Sequence, residues 1–311
     1  MDKIKISFVG NGTPLIDIIR YAMTLESIEV QYVFVSENEI DFVKKKLDST
    51  IVENVANITA NRITKSDFLN DCDYLISYNN MHIIDDKIIE NLKCGGINYH
   101  AGSLPEYAGS YTYQWAIRNN EDRFCSTIHW IKGKTDEGPI ITKKEFPITA
   151  ADTGLSILIK SLETAYCLMK DVLKDIANSK TLNMIPQDLT KRNFYSIKAI
   201  TESGQINWDD SAEAIERLIR ASDFFPYKSP TYEPFTETVH GLMKIHKAKI
   251  CSDRNLSNKT GRVVSVTNDC IVVSTGCRKG LSITSVTINK SKFKSGSMLE
   301  TKIRAGELFK A

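Results

Sequence analysis

The chain is poor in patterned metal ligands. Its seven cysteines (Cys72, Cys94, Cys125, Cys167, Cys251, Cys270, Cys277) are odd in number, and none forms a Cys-x-x-Cys pair. The five histidines also lack ligand spacing, so no metal site is expected. Scattered thiols read as free, buried and reduced, which fits a cytoplasmic chain. No apolar run approaches the roughly 18 residues needed to cross a bilayer, so no membrane partner is expected. The stretch from Met1 to Gly12 has too short an apolar run for a secretory leader, and no small-residue cleavage pattern. Net charge is also nearly absent: 40 Lys and Arg stand against 38 Asp and Glu, a total of +2. That total alone gives no reason to expect a polyanionic partner.

What is present is ordinary globular material. Of 311 residues, 42% are hydrophobic and 25% charged, which is enough apolar side chain for a sizeable core. The length suggests two domains, with a break near residue 200. The expected division is a domain over 1–200, with a linker over 178–200, and a second domain over 201–311.

The first hundred residues alternate strand and helix. Lys3 to Val9, Glu29 to Val35, Asp73 to Tyr78 and Gly96 to Tyr99 read as strands. Helices are expected from Pro14 to Leu25 and from Glu39 to Leu47. This alternation predicts an α/β, Rossmann-like doubly wound sheet. Gly10-Asn11-Gly12 sits where a dinucleotide fingerprint would begin, but Leu15 stands in place of the third glycine. It reads as a tight turn. Two more strands, Arg123 to Ile131 and Pro139 to Phe146, precede a long helix. Its expected cap is Asp152 and its expected stripe is Leu155, Leu158, Ile159, Leu162, Tyr166, Met169, Leu173 and Ile176. A second helix is expected behind a capping box of Asp210 and Glu213. Short alternating runs after residue 240 predict a smaller C-terminal antiparallel β-barrel of OB-like type.

The chemistry concentrates between Gly96 and Ile141. Asn98, His100 and Ser103-Leu-Pro105 follow a strand, at the sheet edge where open α/β folds bind ligands. Asn98 and His100 are two apart, so on a strand they share a face. An amide beside an imidazole suits an oxyanion formed in acyl transfer. A carboxylate such as Asp136 would favour a protonated imidazole. Spacing alone equally allows a turn asparagine, a loop histidine and a capping aspartate.

Asn-x-His, the following Ser-Leu-Pro, and Asp136-Glu-Gly138-Pro-Ile-Ile141 together resemble the signature of the 10-formyltetrahydrofolate-dependent formyltransferases. Asp136 lies 38 positions after Asn98, as is usual in that family. Arg220-Ala221, the Gly261-Arg-Val-Val run and the Val272 to Gly276 run resemble the linker and C-terminal barrel of its longer members. The resemblance implies that Asn98 holds the transition-state oxygen, His100 is the acid/base, and Asp136 supports it. It implies pterin-binding loops at His82, Ile83 and Ile84 and at Lys132, Gly133, Lys134 and Thr135. Ser103, Gly109, Tyr111 and Trp115 become acceptor-binding expectations. The family often has arginines beside that glycine and a serine two after the histidine; here stand Ala108, Ser110 and Gly102.

The wording around Asn98 is closest to the sugar N-formyltransferases of surface-polysaccharide pathways such as lipopolysaccharide O-antigen synthesis. The implied partner is a nucleotide-linked amino sugar, and a homodimer is expected. Methionyl-tRNA formyltransferase is the alternative, and a formyltetrahydrofolate hydrolase a third. The +2 total conceals an asymmetry here. Residues 241–311 hold 14 Lys and Arg against four Asp and Glu, or +10, which leaves −8 elsewhere. A basic barrel suits a phosphate backbone. Against it, Glu37 and Glu39 follow the second strand, where the tRNA enzymes carry a long basic loop.

Overall fold

The computed structural model describes residues 2–47, 71–252, 256–277 and 279–310, and the backbone of 55–57 and 62–63. Arg254, Arg278 and Asp253 of the basic region lie outside the described residues.

Apolar, β-branched runs build the first sheet. Its strands are β1 (Ile4–Gly10), β2 (Ile28–Val35), β3 (Val55–Asn57), β4 (Tyr74–Tyr78), β5 (Gly95–Ala101), β6 (Arg123–Ile131) and β7 (Ile140–Pro147), in the order β7-β6-β5-β4-β1-β2-β3. The pairs β1–β2, β1–β4, β4–β5 and β2–β3 are parallel, and β5–β6 is antiparallel. The predicted doubly wound sheet is therefore present, with an antiparallel edge. Helix α1 (Gly12–Met23) buries Leu15, Ile16, Ile18, Ile19 and Ala22 against it. Leu15 is a core residue, which explains why no third glycine stands there. Gly10 is required for another reason: a Cβ there would lie 1.8 Å from the Tyr78 carbonyl on β4. The Gly12 N–H at the start of α1 donates to Glu39 Oε2 at 3.2 Å.

Helix α2 spans Ile40–Lys46, α3 spans Thr112–Arg118 and α4 spans Gly154–Ala177. Along α4, Ala165, Met169, Val172, Leu173 and Ile176 join the core with Ile6, Phe8, Ile97 and Tyr99. Ile159 of the expected stripe is instead 45% exposed. The cap also differs. Thr153 Oγ1 accepts the Ser156 N–H at 3.2 Å and Ser156 Oγ accepts the Thr153 N–H at 2.9 Å, a reciprocal box. Asp152 is taken by the Thr149 N–H and the Ser156 hydroxyl.

The C-terminal sheet comprises β8 (Phe235–Thr238), β9 (Gly241–Cys251), β10 (Val263–Val266), β11 (Ile271–Ser274), β12 (Gly280–Ile288) and β13 (Ser291–Lys294). Its path is β8-β9-β12-β11-β10, with β13 beside β12 and every pair antiparallel. Bridges from Lys310 to Glu237 and from Leu308 to Arg262 join the chain's end to both edges of this half-barrel. Helix α5 (Ala212–Ala221) packs Ile215, Leu218 and Ile219 with Met243, Ile245 and Val286. Its cap is Ser211, which accepts the Ala214 N–H; Asp210 instead bonds Asn207, and Glu213 pairs with Lys279.

The chain forms two compact units drawn from alternating segments. One holds 1–109, 124–146 and 159–194; the other holds 110–123, 147–158 and 195–311. Residues 178–194 of the expected linker thus belong to the first unit.

Candidate active site

The carboxyl end of β5 brings the expected trio together. Strand alternation turns Ile97 and Tyr99 into the core, where the Tyr99 hydroxyl meets Ser161 Oγ at 2.8 Å. Asn98 and His100 take the other face. His100 Nδ1 is 3.6 Å from Asp136 Oδ2, and the two side chains are each 7% exposed. His100 Nε2 donates to the Tyr107 carbonyl at 2.5 Å. The ring leaves no room at residue 102. A Cβ there would lie 2.5 Å from His100 Nε2 and equally close to the Tyr107 oxygen, so glycine replaces the usual serine.

Asp136 is held at φ 61°, inside a tight loop. Its Oδ2 accepts the Gly109 N–H at 2.8 Å, and its Oδ1 is 3.6 Å from His129 Nε2. Gly109, expected as an acceptor contact, therefore fastens the carboxylate. Burial pushes the Asp136 carboxyl up. The charge of His100, the neighbouring His129 ring and the Gly109 N–H outweigh it and hold the group below the ordinary carboxylate range.

Three neighbours escaped the sequence reading. His129, 2% exposed, stands opposite Asn98 and lies 3.0 Å from its Nδ2. Gln187 donates to the carbonyls of Asp136 and Gly138 at 2.9 and 2.6 Å. Arg192 donates to the Thr135 carbonyl at 3.0 Å and sits 3.4 Å from Glu137. A lone histidine in an apolar strand, and polar residues in an apparent linker, gave no signal without register.

Of the expected cofactor residues, Lys132, Gly133, Lys134 and Thr135 are exposed on the loop before Asp136. Met81 and Ile83 expose 55% and 54% of their surface, an open apolar patch beside the 82–84 backbone. His82 Nε2 meets Ser36 Oγ at 3.0 Å, and burial lowers its pKa. The Ser103 carbonyl accepts the Tyr107 N–H at 2.7 Å, closing the turn after His100. Tyr111 and Trp115 belong to the second unit and pack on its core. Arg118 lies 4.5 Å from the Trp115 ring and Tyr195 5.2 Å.

A partly buried amide donor, a buried imidazole and a buried, ionised carboxylate at the carboxyl edge of the sheet can stabilise an oxyanion and move a proton. Comparison with known proteins points the same way. A family profile described as formyl transferase matches residues 5–173, and one for the formyl transferase C-terminal domain matches 198–302. A methionyl-tRNA formyltransferase of Alkaliphilus oremlandii is 29% identical over 194 residues, 62% of this chain; the match spans 60% of that relative's length. An N-formyltransferase from Helicobacter canadensis, solved with folinic acid and dTDP-3-aminofucose, is 20% identical with a TM-score of 0.68, over 90% of this chain and 98% of its own. WlaRD, a sugar 3N-formyl transferase solved in the presence of dTDP and 5-N-formyl-THF, is 21% identical with a TM-score of 0.69, over 91% and 98%. At these identities the two structures establish a shared fold.

Proposed function

Because the chain belongs to the formyl transferase family, in both its N-terminal and C-terminal domains, we propose that it carries the formyl group of 10-formyltetrahydrofolate to the amine of a nucleotide-linked amino sugar. One observation carries the proposal: Asn98 and His100 share one face of β5, and His100 lies 3.6 Å from Asp136 with both of those side chains buried.

The folate, when bound, supplies an activated formyl carbon. The rest falls to the chain. The apolar patch of Met81 and Ile83, the backbone of His82 to Ile84 and the loop from Lys132 to Thr135 suit the faces and edges of a pterin ring. Asn98 donates its amide to the oxygen that becomes negative as the amine attacks. His100 exchanges its bond to the Tyr107 carbonyl for the reacting group and moves the proton at Nε2. Asp136, ionised and fixed by Gly109, offsets the charge on the ring. No covalent enzyme intermediate is needed. Ser103, Tyr111 and Trp115 belong to the same proposal as acceptor contacts, as does a cytoplasmic homodimer.

For the acceptor, two structural relatives, solved with dTDP-3-aminofucose and with dTDP, align over 98% of their lengths, whereas two methionyl-tRNA formyltransferases are matched over 60% and 71% of theirs. Glu39 also caps α1 at 3.2 Å, placing an acid beside the carboxyl end of β1. The second reading, methionyl-tRNA, rests on the +10 charge of 241–311. The test incubates the protein with formyltetrahydrofolate and dTDP-, UDP- or GDP-amino sugars, or methionyl-tRNA, and reads the products by mass spectrometry. A formylated amino sugar is expected. Formylated tRNA alone overturns the proposal, and formate released without an acceptor makes the chain a hydrolase.

A further inference from the structure

His129 is directly opposite Asn98 across the β5–β6 ladder. Its Nδ1 is 2.8 Å from the Trp130 carbonyl oxygen. A carbonyl only accepts, so Nδ1 carries a proton. Its Nε2 is 3.0 Å from Asn98 Nδ2 and 3.6 Å from Asp136 Oδ1. The first distance is a hydrogen bond and the second is not. An amide nitrogen only donates, so Nε2 presents its lone pair to Asn98.

The Trp130 carbonyl that sets this arrangement is itself confined. The Trp130 N–H donates to Pro139 at 2.9 Å, and a Cβ on Gly138 would lie 1.7 Å from the Trp130 oxygen. The backbone therefore fixes the ring, and the ring fixes the amide. An asparagine can present either its NH₂ or its oxygen after a half-turn about its last bond. A lone pair at 3.0 Å favours the NH₂, leaving its second N–H for a developing oxyanion.

We infer that His129, as the Nδ1–H tautomer, is the positioning residue that fixes the Asn98 amide as a donor. Its kinetic consequence rests on the proposed role of Asn98; its hydrogen-bond pattern does not. Protonation of Nε2 would reverse the arrangement: the fixed ring would then donate, and the Asn98 amide would turn its oxygen toward it.

Two measurements test the inference. Long-range ¹H–¹⁵N correlation on the histidine-labelled protein at neutral pH, with His129→Gln to identify the signal, reports the tautomer without substrate. Nδ1 protonated and Nε2 bare is expected; an Nε2–H tautomer or an imidazolium overturns the inference. Kinetics with formyltetrahydrofolate and dTDP-3-aminofucose supply the second readout. His129→Leu is expected to lower kcat roughly 10- to 100-fold, as loss of outer supporting partners commonly does, with KM for the folate unchanged. His129→Gln, which can place an oxygen where Nε2 stands, recovers most of it. In an Asn98→Ala background, His129→Leu costs less than about 3-fold, because the residue it acts through is gone. Independent, multiplicative losses overturn the inference. Full turnover by Asn98→Ala instead sinks the proposed role of Asn98, and the tautomer then decides His129 alone.

Discussion

Asp136 keeps a negative charge on a side chain 7% exposed, between two imidazoles and a backbone N–H. Such a group ties stability to pH. Its carboxyl lies below its ordinary value of 3.8 in the folded chain. Its contribution is therefore complete above that ordinary value and disappears as pH falls through the lowered one. The difference in unfolding free energy between wild type and Asp136→Asn should be constant from pH 7 to about pH 5 and shrink below about pH 4, as read by urea denaturation at each pH. A difference unchanged down to pH 2 would show that the charge is not what the neighbours stabilise. At this scale the sequence was readable where residues lie close along the chain or form a motif, as Asn98, His100 and Asp136 do. His129 was not readable, because its meaning comes from the register of β5 against β6, and one sequence does not display register. Gly109 was read as an acceptor contact; in the structure its N–H holds Asp136, and an N–H has no letter of its own.

The loop joining β6 to β7 shows how an element holds a site. Gly133 and Asp136 both have positive φ, at 71° and 61°. Gly138 is pressed against the Trp130 carbonyl, and Arg192 and Gln187 bond the Thr135, Asp136 and Gly138 carbonyls from outside. Gly138→Ala should move this loop. The expected cost is on the order of 2 kcal/mol or more in stability, with a loss of turnover; thermal unfolding and an activity assay on the same preparation check both. Wild-type stability with the alanine would mean that the loop yields freely. The elements themselves were largely predicted from periodicity, and the strands of the first sheet other than β3, which was not expected, fall within a residue or two of expectation. Caps were misassigned where several short polar residues adjoin. Asp152 lost to Thr153, and Asp210 lost to Ser211, because the winner depends on backbone angles at the helix start and not on residue type. The stretch 178–194 looked like a tether because its contacts are with residues far away in sequence.

Taken whole, the molecule separates its charge. Cross-strand register sets Lys244 and Lys292 on either side of Thr287, and Lys247 and Lys294 on either side of Ser285, so four lysines share one face of the half-barrel. Lys244 is paired with Glu233. A diffuse basic face without base readout should bind tRNA only non-specifically, with Kd of roughly 10⁻⁴ to 10⁻⁶ M at physiological salt. Fluorescence anisotropy across a salt series checks this, and submicromolar, methionyl-tRNA-selective binding would reinstate the tRNA acceptor. Composition showed the asymmetry, but placing the lysines in rows needed the ladder. The division into units was least legible of all. Along the chain, membership changes after residues 109, 123, 146, 158 and 194. Within the second unit, Gln114 bonds the Ala221 carbonyl and Arg220 the Asp152 carbonyl, so its early segments are stitched to its late ones. A gene cut once in its middle would leave each product with orphaned pieces of the other.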